Sequence, residues 1–262
     1  MANLLVTIIQ PHLIWEDKAA NLKMFEDKID GIERSEIVIL PEMFSTGFSM
    51  RPEEFAEKMD GETVDWMRRI SARKKIILTG SIMIEDGGKF FNRLIWMLPT
   101  GEMGFYDKRH LFGYGNEDEH YSPGGKRLIA SVKGWKINLQ VCYDLRFPVW
   151  ARQKIEGDEA EFDLLVYVAN WPERRNTAWK TLLRARAIEN QCYVVGVNRV
   201  GKDGNDIYHS GDSMIIDPLG EILFHNEHDE IVQTMELDRS HLDSVRSKFP
   251  FLRDGDQFLI VD

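Results

Sequence analysis

The chain has almost no cysteine: two in 262 residues, Cys142 and Cys192. Two thiols cannot build a disulfide framework, and no CxxC pair offers a zinc site. Both are expected as reduced thiols, which suits the cytoplasm. Long apolar runs are also missing. No stretch approaches the roughly 18 consecutive apolar residues of a membrane span, so no membrane partner is expected. The N-terminal MANLLVTIIQPHLIW has no basic n-region and reads as a first β-strand, not a signal peptide. Positive charge is in deficit: 33 Lys and Arg stand against 43 Asp and Glu, a net charge of −10. Nucleic-acid binding needs a basic footprint, so that class of partner is excluded. Short clusters such as Arg68-Arg69 and Arg73-Lys74-Lys75 read as solvated helix faces. Glycine (20) and proline (9) are not in excess, which excludes collagen-like and low-complexity chains.

What is present is an alternation of short apolar runs and helical patterns. Leu4–Gln10, Glu36–Leu40, Ile76–Glu85, Phe90–Leu98 and Met103–Tyr106 read as strands. Helices are expected at Asp17–Ile29 and Glu62–Lys75. Asp86-Gly87-Gly88 and Pro99-Thr100-Gly101-Glu102 turn strands back as hairpins. The second half repeats the grammar. Strands are expected at Leu128–Val132, Lys136–Val141, Phe162–Ala169, Cys192–Val200, Met214–Ile216, Glu221–Phe224 and Ile231–Leu237. Helices are expected at Pro148–Ile155, Thr177–Gln191 and Arg239–Lys248. Hairpins among helix-linked strands predict mixed sheets with helices outside. No linker divides the chain, so 1–262 reads as one domain. The tail, 249–262, is too apolar to float in water. It either packs on its own domain or reaches a second subunit.

Three polar residues close strands. Glu42 follows EIVILP, Lys108 lies just past Met103–Tyr106, and Cys142 ends INLQVC. Sites collect beyond the carboxyl ends of strands in helix-flanked sheets. A thiol is nucleophilic as thiolate, and a nearby ammonium favours that form. A carboxylate can take the proton, and the ammonium can stabilise an oxyanion. Together they describe thiolate attack on a C–N carbonyl, loss of ammonia or amine, a thioester, then water. Taken singly, each residue has a plainer reading: a buried thiol, a solvated acid, a surface lysine. The local contexts decide.

LPEMF around Glu42, DKRHLF around Lys108 and VCYDLRFP around Cys142 resemble, in that order, the three catalytic signatures of the nitrilase superfamily of carbon–nitrogen hydrolases. LLRARAIENQ, Gly211-Asp212-Ser213 and the turn Asp217–Glu221 extend the resemblance over essentially the whole chain. It implies a four-layer α-β-β-α sandwich with two mixed sheets. It implies Glu42 as general base, Lys108 as oxyanion stabiliser and Cys142 as nucleophile. It also implies self-association, as a homodimer or higher homo-oligomer, with the C-terminal segment contributing. Within the superfamily, GNE at Gly115–Glu117, QVCYDLRFPVWAR and VANWP at Val168–Pro172 look most like omega-amidases acting on 2-oxoglutaramate and related monoamides. A second glutamate orients the lysine in this family. Glu117 and Glu119 are both offered, and Glu117 is chosen from its position before Tyr121-Ser122-Pro123-Gly124.

Around this triad, the Tyr143 backbone N–H is the natural second oxyanion donor. Arg146 can pair with a substrate carboxylate or with a structural acid such as Asp144. Phe44, Tyr114 and Trp171 sit beside the signatures and are expected to line the pocket. Cys192, in CYVVGV, reads as packing. The seven histidines are scattered; His225 and His228 lack a third ligand at sensible spacing, so no metal is expected. No phosphate-binding loop or dinucleotide fingerprint is present, and the chemistry needs no cofactor. The expected partner is a small anionic amide. The same triad also serves carbamoyl-amino-acid hydrolases and nitrilases. A catalytically silent binding module or a redox sensor built on Cys142 would keep the same fold.

Overall fold

The computed structural model describes residues 2–157 and 159–260. In the first half lie β1 (Leu4–Gln10), β2 (Ile37–Ile39), β3 (Ile77–Asp86), β4 (Lys89–Met97) and β5 (Met103–Asp107). Between and after them come α1 (Lys18–Asp30), α2 (Pro52–Phe55), α3 (Glu62–Lys74) and the short α4 (Glu117–His120). The second half supplies β6 (Leu128–Val132), β7 (Trp135–Val141), α5 (Pro148–Ala151), β8 (Ile155–Glu156), β9 (Glu159–Ala160) and β10 (Leu164–Val168). It continues with α6 (Asn176–Asn190), β11 (Tyr193–Val197), β12 (Val200–Lys202), β13 (Tyr208–Ile216), β14 (Ile222–Glu227), β15 (Ile231–Leu237) and α7 (Arg239–Lys248).

Two mixed sheets result. The first has the order β15-β1-β2-β3-β4-β5, and the second β12-β13-β11-β10-β7-β6, with β14 on β13. β1, β2 and β3 run parallel, as do β7, β10 and β11. Antiparallel strands flank them on either side. The central strands Ile37–Ile39 and Leu164–Val168 are buried at every position. That is why they read as unbroken apolar runs and not as alternating ones.

One apolar cluster joins Leu4, Val6, Ile8, Ile37 and Ile39 of the first sheet to Ile137, Leu139 and Leu164 of the second. Another packs Leu22, Phe25 and Ile29 of α1 and Val64, Met67 and Ile70 of α3 under the first sheet. Trp179, Leu183 and Ala187 of α6 cover the second sheet. The layers are therefore α-β-β-α, as expected. Asp17 caps α1 by accepting from the Ala20 N–H at 3.0 Å, and Asp238 caps α7 through the Ser240 N–H at 2.8 Å. Each such cap is worth about 1 kcal/mol.

Three expectations need correction. The helix expected over Pro148–Ile155 stops at Ala151. Gln153 is pinned in extended chain: its N–H donates to Asn190 Oδ1 and its Oε1 accepts from the Phe162 N–H. The strand expected over Cys192–Val200 breaks between β11 and β12, where the Asn198 side chain donates to the Trp171 and Gly211 carbonyls. Phe44 does not line a pocket. Met43 has φ +43°, which turns the chain and sends the Phe44 ring into the core against Phe25 and Trp66. Gly80 of β3 makes room, since a Cβ there would lie 2.8 Å from that ring.

The tail is only half docked. Gln191 Nε2 donates to the Phe249 carbonyl, and Lys154 lies over the Phe258 ring. Yet Phe251 is 62% exposed and Leu259 87% exposed. Residues 261–262 of the expected tail lie outside the described residues.

Candidate active site

The parallel strands of both sheets end at one place. β2 leads to Glu42, β7 to Cys142 and β10 to Asn170; β5 delivers Lys108 from the edge of the first sheet. Lys108 Nζ donates to Glu42 Oε1 at 2.9 Å and to Glu117 Oε1 and Oε2 at 2.9 and 2.7 Å. All three side chains are fully buried. Cys142 adjoins Glu42 and is 9% exposed. Sequence reasoning put these four residues in four separate segments; the fold brings them together. Glu119, the other candidate, is exposed.

Residues not singled out in the sequence complete the cluster. Asn92 Nδ2 donates to Glu42 Oε1 at 2.8 Å and to Glu117 Oε1 at 3.1 Å. The Asn170 N–H donates to Glu42 Oε2 at 2.8 Å. The Phe112 N–H donates to Glu117 Oε2 at 2.6 Å. Phe48 places its ring 5.2 Å from Lys108 Nζ. Both carboxylates are thus held by several donors, which fixes their orientation.

The charges are unequal: two acids and one cation in a space without water-facing atoms. Burial works against the Lys108 ammonium, but Glu117 and Glu42 outweigh it and hold the charge well above the ordinary lysine range. Burial, with the neighbouring Glu42, raises the Glu117 carboxyl, against the pull of Lys108. Burial also pushes the Cys142 thiol up, and Glu42 adds to this, while Lys108 opposes it. The expected lysine effect on the thiol is therefore present but loses. This environment favours the protonated thiol over the thiolate. An oxidisable low-pKa thiolate, which a redox sensor needs, is not what this environment favours.

Cys142 itself has φ +44°, a left-handed conformation that costs a non-glycine residue about 1–3 kcal/mol. The sharp turn ends β7 and aims the side chain into a pocket of about 170 Å³. Tyr143 and Arg146 follow on the pocket wall. Trp171, Pro172, Phe112 and the 80% exposed Tyr114 are on it too. Arg174 and Arg175, not anticipated, also line it, as do Asp203 and His209 from the hairpin between β12 and β13. Arg146 stacks over Trp171 at 5.0 Å and Arg175 over Phe112 at 5.0 Å. No salt bridge joins Arg146, Arg174 or Arg175 to a carboxylate among the described residues. Arg146 does not pair with Asp144, whose oxygens bind His110, Tyr106 and Val141. Burial and the Arg174 and Arg146 charges together lower Arg175.

Cys192 is fully buried, and burial raises its thiol. Asp212, His225 and Glu227 bring ligand-type atoms within 4.8 Å of one another, a grouping the scattered histidines did not suggest. Asp212 already faces Lys180 Nζ at 3.2 Å and Ser210 Oγ at 2.5 Å, and none of the three lines the pocket.

Comparison with known proteins agrees with this geometry. The profile described as "Carbon-nitrogen hydrolase" matches residues 5–247. The omega-amidase YafV of Yersinia enterocolitica is 42% identical, covering 100% of both chains. The 2-oxoglutaramate amidase of Bacillus subtilis is 28% identical over 95% of this chain and 96% of its own. A CN-hydrolase superfamily protein of Xanthomonas campestris, solved with an arsenic adduct in its active site, superposes with a TM-score of 0.97 at 44% identity, covering 100% of both chains. Two mixed sheets, a strand-end Glu-Lys-Cys cluster and a profile match over most of the sequence agree: the chain belongs to the carbon–nitrogen hydrolase family.

Proposed function

We propose that this protein hydrolyses the terminal amide of a small carboxylate-bearing monoamide, of the 2-oxoglutaramate type, to the acid and ammonia. In this reading Glu42 accepts the Cys142 thiol proton as Sγ bonds to the amide carbon. The carbonyl oxygen becomes an oxyanion facing Lys108 Nζ and the Tyr143 N–H. The C–N bond breaks, and the proton on Glu42 leaves with the nitrogen as ammonia. Water then gives a proton to Glu42 and its oxygen to the thioester carbon. The C–S bond breaks, and Glu42 returns the proton to sulfur. Glu117 keeps Lys108 charged and aimed throughout.

One observation carries the choice of substrate: a pocket above Cys142 lined by three guanidiniums with no acid salt-bridged to them. A substrate carboxylate relieves their mutual repulsion and gains charge-assisted bonds. The relatives named omega-amidase and 2-oxoglutaramate amidase support the same class. The test is to assay ammonia from 2-oxoglutaramate and succinamate beside N-carbamoyl amino acids and nitriles. Release from the two monoamides alone is expected; release from none of the monoamides refutes the reading.

Self-association is part of the proposal, because exposed Phe251 and Leu259 need cover. Sedimentation of the full chain and of one ending at Pro250 tests it: a dimer or larger is expected for the first, and a smaller species for the second. Two free thiols suit a cytoplasmic setting.

A further inference from the structure

Asp144 is fully buried two residues beyond Cys142. Its Oδ1 accepts from the His110 N–H at 3.0 Å and lies 2.8 Å from His110 Nδ1. Its Oδ2 accepts from the Tyr106 hydroxyl at 2.7 Å and the Val141 N–H at 3.0 Å. Tyr106 and His110 stand two residues before and two residues after Lys108. Val141 immediately precedes Cys142. One carboxylate therefore grips the lysine segment on both sides and the cysteine turn at its root. Further contacts stiffen the grip. The Tyr106 hydroxyl accepts from Trp150 Nε1 at 2.9 Å and the Arg109 N–H at 3.2 Å. The His110 ring stacks on Phe147 at 3.8 Å.

We infer that Asp144 is a positioning residue that fixes the Cys142 sulfur relative to the Lys108 ammonium. It does not touch the reacting atoms. It acts by joining two segments that come from different sheets and share no direct hydrogen bond between their catalytic side chains. A carboxylate suits the role because every group facing it is, or can be, a donor. An amide in its place presents N–H to two of them. The His110 ring can adapt by accepting, but a backbone N–H on that side cannot, and neither can Tyr106, whose hydroxyl already accepts from Trp150 and Arg109. Asp144→Asn thus leaves either Val141 or His110 with an orphaned backbone donor and loosens one half of the grip.

The test reads the Lys108–Cys142 relationship directly, by the pH dependence of Cys142 alkylation with iodoacetamide. This readout does not depend on the substrate proposed above. Lys108 opposes the rise of the thiol, so a lysine that drifts away lets the alkylation midpoint climb. Asp144→Asn is expected to raise the midpoint by about half a unit or more. With succinamate as substrate, its kcat should fall about 10–100-fold with KM within about 3-fold, as expected of a misplacement near 1 Å. Tyr106→Phe and His110→Ala should move both readouts the same way by less. They decide the matter where Asp144→Asn does not fold. Asp163→Asn, which removes a buried carboxylate elsewhere in the fold, serves as the structural control and should lower the melting temperature without moving the midpoint. An unchanged midpoint in a folded Asp144→Asn, or in both milder variants, overturns the inference. So does an equal shift in Asp163→Asn. If wild-type protein releases no ammonia from any monoamide, the proposed function fails while the alkylation arm still judges Asp144.

Discussion

Two buried ion clusters lie at the two ends of β7, and they are built with opposite balances. At its start, Asp163 accepts from Arg239 Nη1 at 3.0 Å, Arg246 Nη1 at 2.7 Å and the Lys136 N–H at 3.0 Å. At its end, beyond Cys142, Lys108 lies between Glu42 and Glu117. The first cluster has one buried acid and two cations, with the exposed Asp243 also meeting Arg239 Nε at 2.9 Å. Its cations are arginines, which still reach water at one edge. Such a cluster ties α7 to the sheet. The second cluster has two acids, one cation and a thiol, all enclosed. One negative charge is surplus there, so a proton leaving sulfur has a destination. Burial of charge alone does not mark a site; an unbalanced set of groups able to exchange a proton does.

The largest effect that should separate the two ends is at the thiol. Cys142→Ala is expected to lower turnover by at least about 10⁴-fold with an unchanged melting temperature. Lys108→Met comes next, with a loss near 10³-fold, because the proposed oxyanion donor disappears. It also leaves two carboxylates facing each other, which should cost about 3–5 kcal/mol near neutral pH. Burial already raises Glu117. Its ionised form disfavours the folded state, so denaturant midpoints of this variant should recover as pH falls.

At the other end, Asp163→Asn should cost about 3 kcal/mol of stability, with kcat per folded molecule unchanged. Equal turnover losses at the two ends would erase the distinction. Arg146→Ala and Arg175→Ala should each raise KM for succinamate about 10-fold, or about 1.4 kcal/mol, while kcat stays within a few-fold.

The last effect is confined to acid pH and concerns His209 on the pocket wall. Burial and the Arg199 charge lower it to about 4. It is neutral in the folded protein, and an unfolded histidine titrates near 6.5. Its contribution is therefore complete above pH about 6.5 and lost as pH falls toward 4. His209→Gln should flatten that part of the stability–pH curve, measured by chemical denaturation.

Much of this was legible in the residues themselves. β1 and β15 carry their boundaries as apolar runs, and Asp17 announces the start of α1. Glu42, Lys108 and Cys142 were found because each closes a strand and stands in a recognisable local context. Asn92 could not be found that way. It sits mid-strand in β4, where a polar residue ordinarily faces water, and only the fold turns it onto Glu42 and Glu117. Arg175 and Phe48 were missed for the same reason, since their segments meet the pocket through tertiary packing. Phe44 was misplaced because the positive φ at Met43 cannot be read from residue types. The broken helix after Pro148 has a similar origin: Gln153 bonds to Asn190, far along the chain.

The central claim is that Cys142 forms a thioester with the acyl part of an omega-monoamide. Rapid acid quench during succinamate turnover, followed by peptide mass spectrometry, tests it most directly. A succinyl group is expected on the peptide containing Cys142 in wild-type protein and none in Cys142→Ala. Undiminished ammonia release by purified Cys142→Ala, or an acyl group found only on another residue, would contradict it.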